Sequence, residues 1–319
     1  GIRDLIVTGV QTCALPISRE YPDTIIALVV GNEVLLRKEM AASDLAALIR
    51  SIKAQVTVPV TYAEVWEFWL SNRELSDAVD FVTIHILPYW ENIPIRADLA
   101  AAHADEIRKQ VAAAFPGKEI FIGEIGWPSE GRMRESALPS RTNQARVVAE
   151  VLDLARREHF RVNLFEAYDE GWKREIEGTI GGSWGLFDSE QRALKYPPGQ
   201  PVSNFPAWKL QMCSGMALAI LVFGVAWLTL RRRPRPPEFG SWLAVGVSAT
   251  TGGILLGVAA QRMVYESYGT GGWLLWGSLL VAATASPVFG ANALMSGRVP
   301  SSFLELLGPK GSHTESVLV

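Results

Sequence analysis

Cysteine is almost missing from this chain: Cys13 and Cys213 are the only two in 319 residues, which excludes a disulfide framework and a thiolate metal site. The four histidines, His85, His103, His159 and His313, show no ligand spacing, so no metal is expected. No glycine-rich phosphate loop follows any strand-like run, which disfavours nucleotide binding, and no cofactor is expected. Basic residues are not in excess either. Thirty Lys and Arg against 33 Asp and Glu leave a net charge of -3, which argues against nucleic acid as the partner. Charge is itself scarce in three long apolar stretches after Met212.

Two short apolar runs each lead to a glutamate. Ile25-Ile26-Ala27-Leu28-Val29-Val30-Gly31-Asn32 precedes Glu33, and Ile120-Phe121-Ile122-Gly123 precedes Glu124. Each reads as a buried parallel strand that stops at a Gly and delivers a carboxylate to the strand's C-terminal edge. Glu after a strand is commonly a solvated cap. Two such carboxylates can instead cleave a glycosidic bond, one protonating the leaving oxygen while the other attacks the sugar. Asn32 offers an amide to a sugar hydroxyl, and Gly123 and Gly126 are expected to leave room for a bulky ligand.

Between Thr24 and Ala167 strand-like and helix-like segments alternate. Strands are predicted over 24–30, 58–63, 78–86, 118–123 and 161–167, and helices over 43–56, 97–115 and 142–159, with Ser43 as an N-cap. The alternation predicts an α/β fold with a parallel sheet and crossover helices. Five strands fit either a doubly wound sheet or part of a barrel.

Val29 to Arg37 (VVGNEVLLR) and Ile122 to Gly131 (IGEIGWPSEG) resemble the acid/base and nucleophile motifs of glycoside hydrolase family seventeen, the β-1,3-glucanases and related glucosyltransferases. Tyr168-Asp169-Glu170-Gly171-Trp172-Lys173 resembles that family's Glu and Lys pair at the bottom of the cleft, and Gly185-Leu186-Phe187-Asp188 its closing motif. His85-Ile86-Leu87-Pro88-Tyr89 departs from the Asn-x-Tyr-Pro-Tyr wording of the plant members. The resemblance implies a retaining mechanism with Glu33 as acid/base and Glu124 as nucleophile, and Glu170 and Lys173 as positioning groups. Aromatics at strand ends, with Tyr62, Tyr89 and Trp127 foremost, are expected to bind the sugar rings. It also implies a TIM (β/α)8 barrel with the acid/base after strand four and the nucleophile after strand seven. On that count the chain holds strands 4 to 8 and lacks strands 1 to 3. A partial barrel exposes a sheet edge, so the chain as written is expected to be neither a stable nor an active enzyme.

The domain reading follows from composition. Val7 to Ile17 resembles the translation of a sequencing adapter, so residues 1 to about 18 are expected to be non-native. Residues 19–196 form the barrel fragment, 197–210 a Pro-rich linker, 211–296 three transmembrane helices (about 212–230, 242–260 and 273–295), and 297–319 a cytoplasmic tail. Arg231-Arg232-Arg233-Pro234-Arg235 behind the first span reads as cytoplasmic, which puts the glutamates outside the membrane. The expected setting is a bacterial inner membrane, with β-glucan and the lipid bilayer as partners. Hydrolysis and transglycosylation share the same two glutamates and stay open. So does a second reading, a non-catalytic glucan-binding part of a β-glucan synthase or export complex.

Overall fold

The computed structural model describes residues 15–21, 23–190, 192–197, 199–231 and 237–296. The segment read as non-native lies outside the described residues up to position 14, as do Arg232 to Arg235 of the basic cluster and the tail 297–319. Two compact units divide the chain, residues 1–204 and 205–319.

The first unit is a five-stranded parallel sheet in the order β1-β2-β3-β4-β5, with β1 Leu28–Asn32, β2 Val60–Val65, β3 Val82–His85, β4 Ile120–Ile125 and β5 Val162–Leu164. Helix α1, Leu15–Glu20, precedes it. The crossovers carry α2 Ala42–Lys53, α3 Trp66–Ser71, α4 Ala100–Ala114 and α5 Arg141–Glu158, and a short α6, Arg174–Glu177, follows β5. Strands and helices therefore alternate as the apolar periodicity predicts. Among the described residues β1 has a strand neighbour on one side only, and Val29 on it is 46% exposed.

Each crossover helix buries one stripe. Leu45, Ala46, Ile49 and Ile52 of α2 are buried, as are Ala104, Ile107 and Val111 of α4 and Val147 and Val151 of α5. They pack with Val60, Val82, Ile84 and Ile122 from the strands into one core. Two boundaries differ from the sequence reading. Helix α2 begins with Ala41 as its N-cap and no side-chain cap, so Ser43 lies inside the first turn. Helix α5 is capped by Ser140, whose Oγ accepts the Asn143 N–H at 3.1 Å, and it ends on a left-handed His159.

A larger difference lies at the strand ends. The strands do not stop at Gly31 and Gly123 but run on through them. The register slips between Val29 and Asn32 on β1 and between Ile122 and Ile125 on β4, so each strand carries a bulge next to its glutamate. Gly31 takes a positive φ of 91° that a side chain would resist. A bulge bends the strand and re-aims the following side chain, and alternation of apolar residues carries no trace of it.

Asp80 ties the crossovers together, accepting the Val60 N–H at 2.7 Å and Lys53 Nζ at 2.6 Å. Burial works to raise its carboxyl, but these bonds outweigh it and hold Asp80 below the usual range. A lowered folded pKa gives stability that is present above the unfolded value, about 3.9, and lost as pH falls through the folded one. Asp80→Asn is therefore expected to lower stability at neutral pH. It should also flatten the acid limb of a stability profile below about pH 4, read by chemical denaturation.

The second unit is three long helices, α7 Trp208–Leu230, α8 Phe239–Glu266 and α9 Gly269–Ser296, each long and apolar enough to cross a membrane. They close around Leu218, Val222, Ala226, Val245, Ala249, Ala291 and Met295. Gly215 and Gly253 allow α7 and α8 to touch backbone to backbone: a Cβ on Gly253 would lie 2.7 Å from Gly215 Cα. Thr229 Oγ1 donates to Asn292 Oδ1 at 3.0 Å between α7 and α9.

Candidate active site

Three bulged strand ends bring Glu33, His85 and Glu124 to one place on the C-terminal edge of the sheet. Glu33 follows β1 in a left-handed backbone conformation, φ 51°, held by its N–H donating to Ala63 O at 2.8 Å. A non-glycine residue there is uncommon and costs conformational energy. His85 ends β3, and Glu124 faces it across the β3–β4 register slip. One donor atom from each of the three lies within 4.8 Å of the others.

His85 sits between the two carboxylates. Its Nδ1 is 2.9 Å from Glu33 Oε1 and its Nε2 is 3.7 Å from Glu124 Oε1, with the imidazole 2% exposed. Glu33 also pairs with Arg37 at 3.3 Å. The hydrogen bond from His85 is the main influence that lowers the Glu33 carboxyl below its usual range, burial opposes it, and Arg37 adds to the lowering. Burial raises Glu124, helped by the nearby charges of Glu33 and Glu166, against His85 and Lys173. Convergence of an imidazole and two carboxylates would also suit a cation, but the Nδ1 bond already joins His85 to Glu33.

The loop behind Glu33 is fastened by Glu64, a fully buried carboxylate at the end of β2. It accepts the N–H groups of Leu35, Leu36 and Val65 at 3.0, 3.2 and 2.8 Å, and the Tyr62 hydroxyl. Tyr62 Oη also accepts the Leu35 N–H at 3.1 Å. Burial and the Glu64 carboxylate push the Tyr62 hydroxyl far up, so it stays protonated and donating.

Lys173 lies between Glu166 and Glu170, donating to the former and 2.8 Å from the latter. Burial raises the Glu166 carboxyl while Lys173 opposes it. Lys173 itself is raised: burial acts to lower it, and the two glutamates prevail.

The sequence-predicted residues divide into two groups. Glu33 and Glu124 come together, Asn32 lies beside Glu33 with an exposed side chain, and Glu170 pairs with Lys173. The aromatics are placed otherwise. Tyr62 and Trp127 are 0% exposed and Tyr89 only 4%, so none of the three rings offers a face to a ligand. Trp127 Nε1 donates to Leu138 O at 3.1 Å and Tyr89 Oη to Arg132 O at 2.8 Å. Open rings at the strand ends belong to Trp90, Tyr168 and Trp172, which are 40%, 45% and 60% exposed.

The glycines also serve a different purpose from the one expected. A Cβ on Gly123 would meet Thr83 Cγ2 at 2.5 Å and the His85 ring at 3.4 Å, and one on Gly126 would meet Phe165 O at 1.9 Å. Their missing side chains make room for neighbouring strands, not for a ligand. Gly123→Ala is expected to displace Thr83 and cost about 1–3 kcal/mol, measured as a lowered unfolding midpoint of the first unit.

His85, Arg37, Glu64 and Glu166 were not among the predicted site residues. Glu166 had a signal, since Leu164-Phe165-Glu166 repeats the pattern of an apolar run ending in Glu. His85 stood out only as a departure from a motif. Arg37 closed a quoted motif and Glu64 followed a predicted strand, but their roles did not show, because their contacts depend on loop geometry.

Comparison with known proteins gives these positions a context. Residues 9–185 match the sequence family described as the BtgE/BtgC glycoside hydrolase domain. The match begins inside the segment that the sequence reading set apart. A glucan 1,3-beta-glucosidase of Candida albicans is 29% identical over 194 residues, covering 54% of this chain and 62% of that protein. A probable beta-glucosidase btgE of Aspergillus fumigatus is 29% identical over 190 residues, covering 57% and 33%. This chain thus spans about three fifths or less of these relatives. A glycoside hydrolase family 17 beta-1,3-glucanosyltransferase from Rhizomucor miehei is similar in structure, with a TM-score of 0.50 and 27% identity over 57% of this chain and 68% of that one. An active-site mutant of the Rhizomucor miehei beta-1,3-glucanosyltransferase, in complex with laminaritriose, aligns with a TM-score of 0.50 and 26% identity over 58% and 68%.

Proposed function

The chain belongs to the family of the BtgE/BtgC glycoside hydrolase domain, and from that premise we propose that its site acts on β-1,3-glucan by a retaining double displacement. The observation that carries this reading is the approach of Glu33 and Glu124, with a carboxylate oxygen of each within 4.8 Å of the other. Retaining sites hold their carboxyl groups about 5–5.5 Å apart and inverting sites about 6.5–9.5 Å, the extra space holding a water.

Glu124 is the nucleophile. It attacks the anomeric carbon while Glu33 protonates the departing oxygen, and the bond to Glu124 is then broken by water or by another sugar that Glu33 deprotonates. Asn32 binds the hydroxyl next to the reacting carbon. Lys173, between Glu166 and Glu170, places positive charge near the nucleophile and favours its ionised form. Trp90, Tyr168 and Trp172 are rings open to stacking against sugar faces. We propose that the three apolar helices anchor the chain in a bilayer, with the site on the outer side, a reading supported by the arginines that follow α7 in the sequence.

The test is a comparison of products. The full chain in detergent micelles is incubated with laminari-oligosaccharides. Longer products mean transfer, and only shorter ones mean hydrolysis. Glucan binding that survives replacement of both glutamates, with no turnover at any concentration, would instead support a non-catalytic glucan-binding role.

A further inference from the structure

Glu33 opens its turn in the left-handed region, at φ 51°, and a residue with a side chain stays there only where its surroundings fix it from several sides. The next amides of the turn, those of Leu35 and Leu36, must also find acceptors. Side chains of β2 supply them. Tyr62 Oη accepts the Leu35 N–H at 3.1 Å and donates to Glu64. Glu64 Oε2 accepts the same Leu35 N–H at 3.0 Å and the Leu36 N–H at 3.2 Å. Between these two side chains the Ala63 carbonyl takes the Glu33 N–H at 2.8 Å. Three consecutive residues of β2 thus grip the turn, and the Val65 N–H holds Glu64 Oε1 at 2.8 Å.

Glu64 is 0% exposed. A carboxyl group is costly to bury, and an apolar side chain would fill such a place at less cost. What no apolar residue could supply is a fixed set of acceptors for the residues next to Glu33. Arg37 also reaches Glu33, at 3.3 Å, but it is 44% exposed and belongs to the same turn, so it moves with the turn and does not fix it. Glu124 has no such dependence, because its strand is placed by backbone pairing with β3 and β5.

We infer that Glu64, acting through Tyr62 and the Leu35 and Leu36 amides, is the positioning residue that aims Glu33 at the leaving oxygen and takes no part in placing Glu124. This role rests on the proposed assignment of Glu33 as acid/base. The 2.9 Å approach of Glu33 to His85 forms only if the turn delivers the carboxyl to that ring. A misplacement of about 1 Å costs on the order of 10²-fold in rate, so a loosened turn weakens the acid while the nucleophile keeps its place.

The leaving group separates a misplaced acid from a weakened fold. A dinitrophenyl β-laminaribioside releases an anion that is stable without a proton, so its cleavage needs the nucleophile and not the acid. A laminari-oligosaccharide needs both. Gln at position 64 has the size of Glu but turns one oxygen into a donor, which then faces N–H groups that need an acceptor. In kcat/KM, which covers the steps up to departure of the leaving group, Glu64→Gln is expected to lose about 10–100-fold on laminari-oligosaccharides. On the aryl substrate the expected loss is under about threefold. Tyr62→Phe removes one link, keeps the ring, and is expected to change the ratio in the same sense by less. Amide exchange of residues 34–37, followed by mass spectrometry on the full chain in detergent micelles, is expected to quicken in both variants while β3 and β4 stay protected.

Equal losses on the two substrates overturn the positioning role while the glucan reading stands. If Glu64→Gln does not fold, the same ratio in Tyr62→Phe decides. A parent chain that turns over neither substrate counts against the glucan reading. Exchange then decides whether Glu64 holds the turn: quickening confined to residues 34–37 upholds that grip, and unchanged exchange overturns it.

Discussion

Glu124→Gln is expected to reduce the conversion of laminari-oligosaccharides by on the order of 10⁴-fold or more, as removal of a covalent nucleophile does in other enzymes. Gln has the size of Glu and keeps a hydrogen-bonding oxygen, so the packing of β4 against β3 and β5 should be unchanged. The missing property is the anion that the proposed mechanism uses to form the glycosyl bond. The ratio of variant to parent carries the prediction. Chromatography of oligosaccharide products reads it, and circular dichroism of both proteins shows whether the fold is kept. A folded variant within tenfold of its parent would remove Glu124 from the chemistry.

Lys195→Met is expected to destabilise the first unit by about 3–5 kcal/mol, since it strands a largely buried carboxylate. Lys195 Nζ lies 2.6 Å from Asp169 Oδ1 and 2.8 Å from Ser129 Oγ, with its side chain 3% exposed. Asp169 also accepts the Gly185 N–H at 2.9 Å. Burial pushes the Lys195 amine down and the Asp169 carboxyl up, and their mutual attraction opposes both. The pair joins the segment after β4, which holds Ser129, to the segment after β5, which holds Asp169. Loss of the pair should therefore loosen the surroundings of Glu124. Thermal unfolding should show a fall of roughly 10 °C for a unit of this size. Replacing both residues, Lys195→Met with Asp169→Asn, should recover at least half of it, because no charge is then left buried. A fall under 2 °C in the single variant would show that water already reaches the pair.

The amino-acid sequence made the parallel sheet and both glutamates legible for the same reason. Apolar runs such as Ile120-Phe121-Ile122 are long-lived signals of buried parallel strands, and their C-terminal ends are where such folds place chemistry. What it did not show was the bulges at Gly31 and Gly123, which depend on how neighbouring strands slip past each other. Those bulges decide that Glu33 and Glu124 meet at His85. The aromatics were misplaced for a related reason. Trp127 and Tyr89 lie at strand ends, but the segments after β4 and β5 fold over them, with Tyr89 packed edge-on against Trp127 and Trp184 at 6.3 and 6.1 Å. Position along the chain gives proximity to the sheet edge and not which ring remains open.

The apolar helices were the easiest feature to read. Their length and lack of charge are properties of composition alone, and α7, α8 and α9 extend each predicted span by a few residues at one or both ends. Polar links between them, such as Thr229 to Asn292, were not visible, because both residues are isolated in apolar surroundings.

The central claim is that Glu124 forms a covalent bond to glucose, and mass spectrometry after reaction with a 2-deoxy-2-fluoroglucosyl fluoride tests it most directly. The fluorine slows release of the sugar more than its attachment, so a glucosylated protein accumulates. The expected result is one added 2-fluoroglucosyl group on the peptide that carries Glu124, present in the parent chain and absent from Glu124→Gln. Labelling of Glu33 instead, or no labelling of a chain that still binds laminaritriose, would contradict the proposed mechanism.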